Sequence, residues 1–178
     1  MILNFEKEIH LFEKKGQWTS VLDMLWESYL HSKDDLNVNL HLALELWYII
    51  SYKAEDYIKN DEIEDLYKKI YDVYQNAKVL FAEDFLYNLF FGYMMIVAPY
   101  YFMAPDDDYD SFWQYGYRMC EKARSIKPTD PIAILFCAQK DYDDNFLRAK
   151  EKNTAFINEA FPLNSGAVNN YFRDVLLS

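Results

Sequence analysis

Four aspartates within five residues make Asp106-Asp107-Asp108-Tyr109-Asp110 the segment of this chain most able to do chemistry. Carboxylates at positions i and i+4 share one helical face, so Asp106 and Asp110 could hold a divalent cation together with Asp107. The same aspartates could instead form a loop and cap a helix, because a side-chain oxygen at the N-cap accepts unpaired backbone N–H groups. A third use is contact, since Tyr109 offers a flat aromatic surface beside acids that pair with lysine or arginine.

The metal interpretation lacks other residues that it needs. The Asp-Asp-x-x-Asp spacing occurs in prenyl-diphosphate enzymes, but those enzymes also use a second carboxylate motif, basic residues for the diphosphate and a larger helical cavity, none of which this sequence indicates. A calcium loop fits poorly, since Ser111 stands where the sharp-turn glycine belongs and Tyr117 where the bidentate glutamate belongs. We therefore expect no metal and no cofactor here, and the roles of loop, cap and contact surface stay open.

A second acidic segment repeats the combination of aspartates with a tyrosine. Turns favour aspartate through local backbone hydrogen bonds, which is one sufficient explanation for both segments. If both segments lie at interhelical turns on one end of the fold, they present seven aspartates beside two tyrosines. We predict that the partner-binding residues are Asp106, Asp107, Asp108, Tyr109, Asp110, Asp141, Tyr142, Asp143 and Asp144.

No other set of side chains matches a catalytic pattern. His10, His31 and His41 lack the His-Glu-x-x-His spacing of a zinc helix, and the chain has no glycine-rich phosphate loop and no Gly-x-Ser-x-Gly elbow. Cys120 and Cys137 fall where an apolar helical stripe needs a small hydrophobic residue, which favours reduced core thiols over nucleophiles. The sequence predicts no catalytic residue, no metal ligand and no enzyme.

Helical periodicity runs through the whole chain. The four glycines and five prolines are too few for the tight turns of an all-β fold, so we expect one all-α domain over 1–178. The predicted helices are 2–15, 18–30, 37–53, one from Asp61, 82–103, 111–127, one from Pro131, 144–160 and 165–177. We expect Gly16 to end the first helix, Trp26 to lie in the core, Asp110 to cap 111–127, and the last helix to close the open end of the stack.

The uncharged run from Phe85 to Met103 is long enough to span a bilayer, which makes a membrane segment the alternative for this region. The run contains Pro99 and four tyrosines, and Glu83 and Asp84 precede it where lysine or arginine would fix a membrane topology. A central helix that is buried on most sides and bent or ended near Pro99 explains the run better.

The helix 111–127 carries a recognisable order of residues. Gly116, Cys120, Ala123 and Pro128 read as small residue, contact residue, alanine and proline, and Pro162 follows Pro128 by 34 residues. This stretch resembles the tetratricopeptide repeat, a 34-residue helix-turn-helix unit whose second helix packs on its first. The earlier hairpins keep no fixed period. The resemblance implies an irregular tetratricopeptide-like α-α superhelix of about four helical hairpins plus a C-terminal capping helix.

Charge indicates the kind of partner. The net charge of −11, from 29 acidic and 18 basic residues, disfavours nucleic acid, because binding phosphate backbones requires clustered lysine and arginine. A basic protein fits better. Two cysteines are too few for a secreted disulfide framework, and charge appears in the N-terminal residues before a signal peptide could develop. We therefore expect a cytoplasmic protein without membrane insertion.

Small, acidic, irregular α-helical chains rich in Asn, Asp, Ile, Lys and Tyr resemble the immunity proteins of bacterial contact-dependent growth-inhibition systems. This resemblance implies an inhibitor that binds a cognate basic toxin, typically a nuclease, as a 1:1 heterodimer and covers its active site with acidic side chains. The alternative function is a tetratricopeptide-like adaptor that holds a peptide of another protein in its concave groove.

Overall fold

The computed structural model describes residues 7–53, 60–138 and 144–177 of the chain. These ranges form nine α-helices and a single 3-10 turn, without a strand, so the all-α prediction is confirmed. In chain order the elements are α1 (Lys7–Lys14), α2 (Trp18–His31), α3 (Leu36–Tyr52), α4 (Asn60–Leu80), α5 (Phe85–Val97), the 3-10 turn (Pro99–Tyr101), α6 (Tyr109–Ile126), α7 (Pro131–Ala138), α8 (Asp144–Ala160) and α9 (Ala167–Leu177).

Two kinds of helix alternate along the chain. Helices α2, α4, α6 and α8 are amphipathic and keep a polar face toward solvent, whereas α3, α5 and α7 are apolar on almost every side. Contacts link α3 to α5 and α5 to α7, and each of these three also packs on amphipathic neighbours. The apolar helices therefore form an inner layer, and the amphipathic helices pack against it.

Helix α9 also packs on the inner layer. Its Phe172 is fully buried, with ring centroids 5.4 Å from Phe90 of α5, 5.8 Å from Phe136 of α7 and 5.4 Å from Phe161. Its Tyr171 reaches Trp47 of α3 at 5.1 Å. These contacts bury the apolar side of α9 against the inner layer, and the expectation that the last helix closes the end of the stack stays a prediction.

The closest helix pair is α5 with α6, and two glycines permit it. A Cβ atom on Gly116 would lie 2.8 Å from the carbonyl oxygen of Gly92, and one on Gly92 would lie 2.9 Å from the carbonyl oxygen of Gly116. Real Cβ atoms do not approach backbone oxygens so closely, so only glycine fits at this crossing. Gly116, Cys120 and Ala123 are all buried on this face of α6, as their order predicts.

Several predicted helix ends are confirmed. Gly16 follows α1 with φ +66°, and Asp130 accepts hydrogen bonds from the backbone N–H groups of Ile132 and Ala133 at the start of α7, both at 3.0 Å. The predicted cap of α6 is wrong, since Asp108 and not Asp110 holds that position. Trp26 is only half-buried, with the Lys69 ammonium 5.3 Å from its ring. The tetratricopeptide-like superhelix stays a prediction.

The uncharged run 85–103 divides into α5, which has 13 residues, and the 3-10 turn that begins at Pro99. This agrees with a helix that ends near the proline. Within the described ranges, none of the helices combines the length and apolar character needed to cross a bilayer.

The glycine crossing gives a stability prediction. Gly116→Ala should lower the free energy of unfolding by about 1–3 kcal/mol, because the new methyl group overpacks a contact with backbone atoms that cannot rotate away. In the absence of a clash, alanine in place of glycine would stabilise the helix by about 1 kcal/mol. Any decrease in the free energy of unfolding therefore comes from the clash. Urea unfolding followed by circular dichroism checks the result.

The matched control is Gln114→Ala, at an exposed position of the same helix. It should change the free energy of unfolding by no more than about 0.5 kcal/mol. If Gly116→Ala is as stable as this control or more stable, the two helices are not in the contact described above.

Candidate functional site

The segment Asp106–Asp110, here called the acidic loop, connects the 3-10 turn to α6, and all five of its residues are exposed. Asp107 accepts a hydrogen bond from the backbone N–H of Ala104 at 2.7 Å. Asp108 accepts one from the backbone N–H of Ser111 at 2.8 Å and is the N-cap of α6. Hydrogen bonds from Ser111, through its side chain and its backbone, lower the pKa of Asp108. Two of the four predicted binding acids therefore fix the loop.

The other two acids of the loop face solvent. Neither the Asp106 nor the Asp110 side chain makes a hydrogen bond or an ion pair with the part of the chain that the structure describes. Tyr109 between them is 49% exposed. The loop thus presents two carboxylates and a tyrosine on a backbone that its neighbouring aspartates hold in place.

Three further tyrosines adjoin the loop through the 3-10 turn. The ring of Tyr101 stacks on Tyr67 of α4 at 5.5 Å between centroids and meets Tyr100 edge-on at 4.4 Å. Tyr67 and Tyr100 are 40% and 57% exposed, so two of these three rings reach solvent at the 3-10 turn that precedes the loop. Sequence analysis missed this group because Tyr67 and Tyr100 are 33 residues apart and only the fold brings them together.

The second acidic segment is largely outside the described residues. Asp141, Tyr142 and Asp143 lie there, and Asp144 is the first residue of α8. Helix α7 packs on both α6 and α8, and it connects the end of α6 to the start of α8. The shared surface of the two segments stays a prediction.

A cleft of about 550 Å³ opens between the α1–α2 corner, the end of α3 and α9. We call it the aromatic cleft. Its aromatic lining is Trp18, Tyr48, Tyr52 and Tyr171, and its charged lining is Glu13, Lys14, Lys53 and Asp174. The rings form a continuous series, with centroids 6.0 Å apart for Trp18 and Tyr48, 5.5 Å for Tyr48 and Tyr52, and 5.2 Å for Tyr52 and Tyr171.

Glu13 connects the aromatic cleft to the helix that covers the inner layer. One of its carboxylate oxygens accepts a hydrogen bond from the backbone N–H of Ala167 at 2.8 Å, at the start of α9, and the other lies 3.0 Å from Nδ1 of His10. Gly166 has φ +115°, and a Cβ atom there would lie 2.5 Å from the His10 ring. The α1 side chains therefore fix the entry to α9.

Glu45 lies beneath this contact and is fully buried. Its carboxyl group shares a side-chain hydrogen bond with the carboxyl group of Glu13. Burial raises the pKa of Glu45 well above its ordinary value, and the negative charge of Glu13 raises it further. On the same helix, burial lowers the pKa of His41 to about 4, although Asp35 opposes this, so its imidazole is neutral at physiological pH.

The geometry around the other predicted groups is that of a core. Cys120 is fully buried and Cys137 half-buried, and both thiols are free, as predicted. Burial raises the pKa of Cys120 well above its ordinary value and that of Cys137 to about 11, so neither is a thiolate at neutral pH. Among the described residues, no three His, Cys, Asp or Glu side chains are grouped to hold a metal ion.

Comparison with known proteins identifies no relative, since neither a family model, nor a curated protein, nor a solved structure matches this chain.

The buried carboxyl of Glu45 makes stability depend on pH. Its pKa is higher in the folded state than in the unfolded state, so the unfolded chain releases this proton first, and stability falls as pH rises above about 4.5. Glu45→Gln removes the ionisation. We expect the variant to gain stability relative to the wild type between pH 5 and pH 8, by at most about 1.4 kcal/mol per pH unit. Urea unfolding at each pH measures the difference.

Glu151→Gln on the exposed side of α8 is the control and should follow the wild-type pH dependence. A constant difference between Glu45→Gln and the wild type across this range would mean that Glu45 is ionised in the folded protein, contrary to its environment.

Proposed function

We propose that this protein binds a basic protein toxin, a nuclease, and neutralises it by covering its active site, as the immunity proteins of contact-dependent growth-inhibition systems do. The observation that carries the proposal is the acidic loop, in which Asp106 and Asp110 are exposed and unpaired within the described part of the chain while Asp107 and Asp108 fix the backbone. A contact surface of this kind loses little conformational freedom on binding.

Charge and aromatic residues support the same function. A nuclease active site is positive because it binds phosphates, so carboxylates on a rigid loop imitate its substrate. The net charge of −11 steers a basic partner toward the protein. The exposed rings of Tyr67, Tyr100 and Tyr109 supply apolar contact area beside the acids, which is the composition of many interface centres.

An adaptor that holds a peptide in a concave groove has less support. Such a groove needs an open inner face, and α9 covers the inner layer through the fully buried Phe172. We accordingly place the contact surface at the acidic loop and expect a 1:1 complex in the cytoplasm, with no nucleic acid as partner.

The test is inhibition by charge-reversed variants. The toxin captured from the native host with the wild-type protein is purified, and its nuclease activity is titrated with the wild type and with Asp106→Lys/Asp110→Lys. We expect inhibition by the wild type to saturate at one molecule of protein per molecule of toxin. At low salt, the variant should associate with the toxin at least about ten-fold more slowly than the wild type, because two attractive contacts become repulsive. Stopped-flow association and activity titration give both values.

Glu27→Lys/Glu151→Lys carries the same charge change on exposed positions of α2 and α8 and should associate almost as fast as the wild type. Both double variants should keep the wild-type melting temperature within a few degrees, because exposed charges contribute little to stability. If both double variants slow association equally, net charge alone explains the slowing and the acidic loop is not the contact surface. A captured partner that is not basic would also contradict the proposal.

A further inference from the structure

The aromatic cleft is a second candidate binding site, and it does not depend on the acidic loop. Four aromatic side chains meet there around an open volume of about 550 Å³, and two of them, Tyr52 and Tyr171, come from helices far apart in the sequence. Exposed rings next to one another attract either an apolar group or a cation, because the face of an aromatic ring is electrostatically negative. The charges around the rings decide between these ligands.

Three carboxyl groups surround the inner part of the cleft. Glu13 and Asp174 line it, and Glu45 lies one helical turn from Tyr48 on the same face of α3. All three raise the pKa of the Tyr48 hydroxyl beyond the effect of burial, so all three lie near that point of the cleft, and of these Glu13 and Asp174 line the cleft itself. Glu13 is almost fully buried and uses one oxygen on Ala167 and the other on His10, whereas Asp174 is exposed.

Two lysines lie at the same cleft without a direct ion pair to these acids. Neither Lys14 nor Lys53 forms an ion pair with Glu13 or Asp174 in the part of the chain that the structure describes. Asp174 has no hydrogen-bond partner there either. A cation bound against the rings would therefore meet an unpaired carboxylate.

We propose that the aromatic cleft binds an organic cation, a guanidinium or alkylammonium group, with its charge over the rings of Tyr48, Tyr52 and Tyr171 and paired with Asp174. A lysine or arginine side chain of a partner protein and a free amine both carry this chemistry. Glu13 is a positioning residue, since its oxygens already hold α1 to α9, and Lys53 opposes the ligand.

The binding test uses small probes of defined charge. N-acetylarginine amide carries a guanidinium and no carboxylate, and N-acetylnorleucine amide is its neutral counterpart. We expect the arginine probe to shift amide resonances of α3 and α9 in two-dimensional NMR spectra with a dissociation constant in the millimolar range or below. The neutral probe should bind at least about three-fold more weakly, because it lacks the attraction to the rings and to Asp174.

Variants then test the charge pattern. Asp174→Asn should weaken binding of the arginine probe about three- to five-fold, and Lys53→Gln should strengthen it, since it removes a like charge. Tyr52→Leu, at a position 47% exposed, should weaken binding by removing a ring. Glu151→Gln is the charge control for Asp174→Asn and should leave the affinity unchanged.

Two further probes separate the sources of the cation. If a partner side chain is the natural ligand, a capped Gly-Gly-Arg-Gly-Gly peptide should bind more tightly than N-acetylarginine amide. If a free amine is the ligand, spermidine should bind more tightly than both. Either order supports a cation site.

The proposal is overturned if no probe shifts the α3 and α9 resonances at 50 mM, or if the neutral probe binds as tightly as the cation. It is also overturned if Lys53→Gln weakens binding while Asp174→Asn strengthens it, because that pattern defines an anion site. None of these results bears on the acidic loop, whose test uses other residues and a protein partner.

Discussion

The structure depends on burying α5 along its entire circumference. Nearly every residue of this helix from Phe85 to Met95 is inaccessible to solvent. Such a helix is stable in water only with neighbours on all sides, and the glycine pair at 92 and 116 lets one of these neighbours approach to backbone contact. Helix α6 provides much of this cover, and α3, α7 and Phe172 of α9 also pack on α5.

Each candidate surface follows from this arrangement. The acidic loop is held between the 3-10 turn that ends the α5 segment and the first turn of α6, so its position is fixed by the tightest helix pair. The aromatic cleft exists because α9 lies across α3 and leaves a gap beside the α1–α2 corner. Both candidate binding surfaces thus lie at the edge of a tightly packed core, whose side chains have little room to rearrange.

The sequence allowed the helices and several of their ends to be predicted, because periodicity, Gly16 and the Asp130-Pro131 pair act locally. It could not distinguish Asp108 from Asp110 as the cap of α6, since either aspartate suits that role and only the backbone shows where the helix begins. Trp26 occupies a stripe position, but it is at the edge of the contact between α2 and α4, and Lys69 covers its ring.

The aromatic cleft and the buried Glu45 could not be predicted by the same reasoning. The cleft joins residues from opposite ends of the chain, and no local pattern relates Trp18 to Tyr171. Glu45 is a charged residue in a largely apolar helix. From the sequence alone, a charged residue is expected to face solvent. Its burial results from the contact of α1 and α9 over α3, which is a property of the tertiary structure alone.

The hydrogen bond from the backbone N–H of Ala167 to Glu13 joins groups 154 residues apart. Contacts of such separation form late in folding, because a long loop must close before they contribute. While a ribosome synthesises the chain, α3, α5 and α7 are complete before α9 emerges, and their apolar faces remain uncovered for that interval. These apolar faces are therefore open to aggregation and to chaperones until α9 docks.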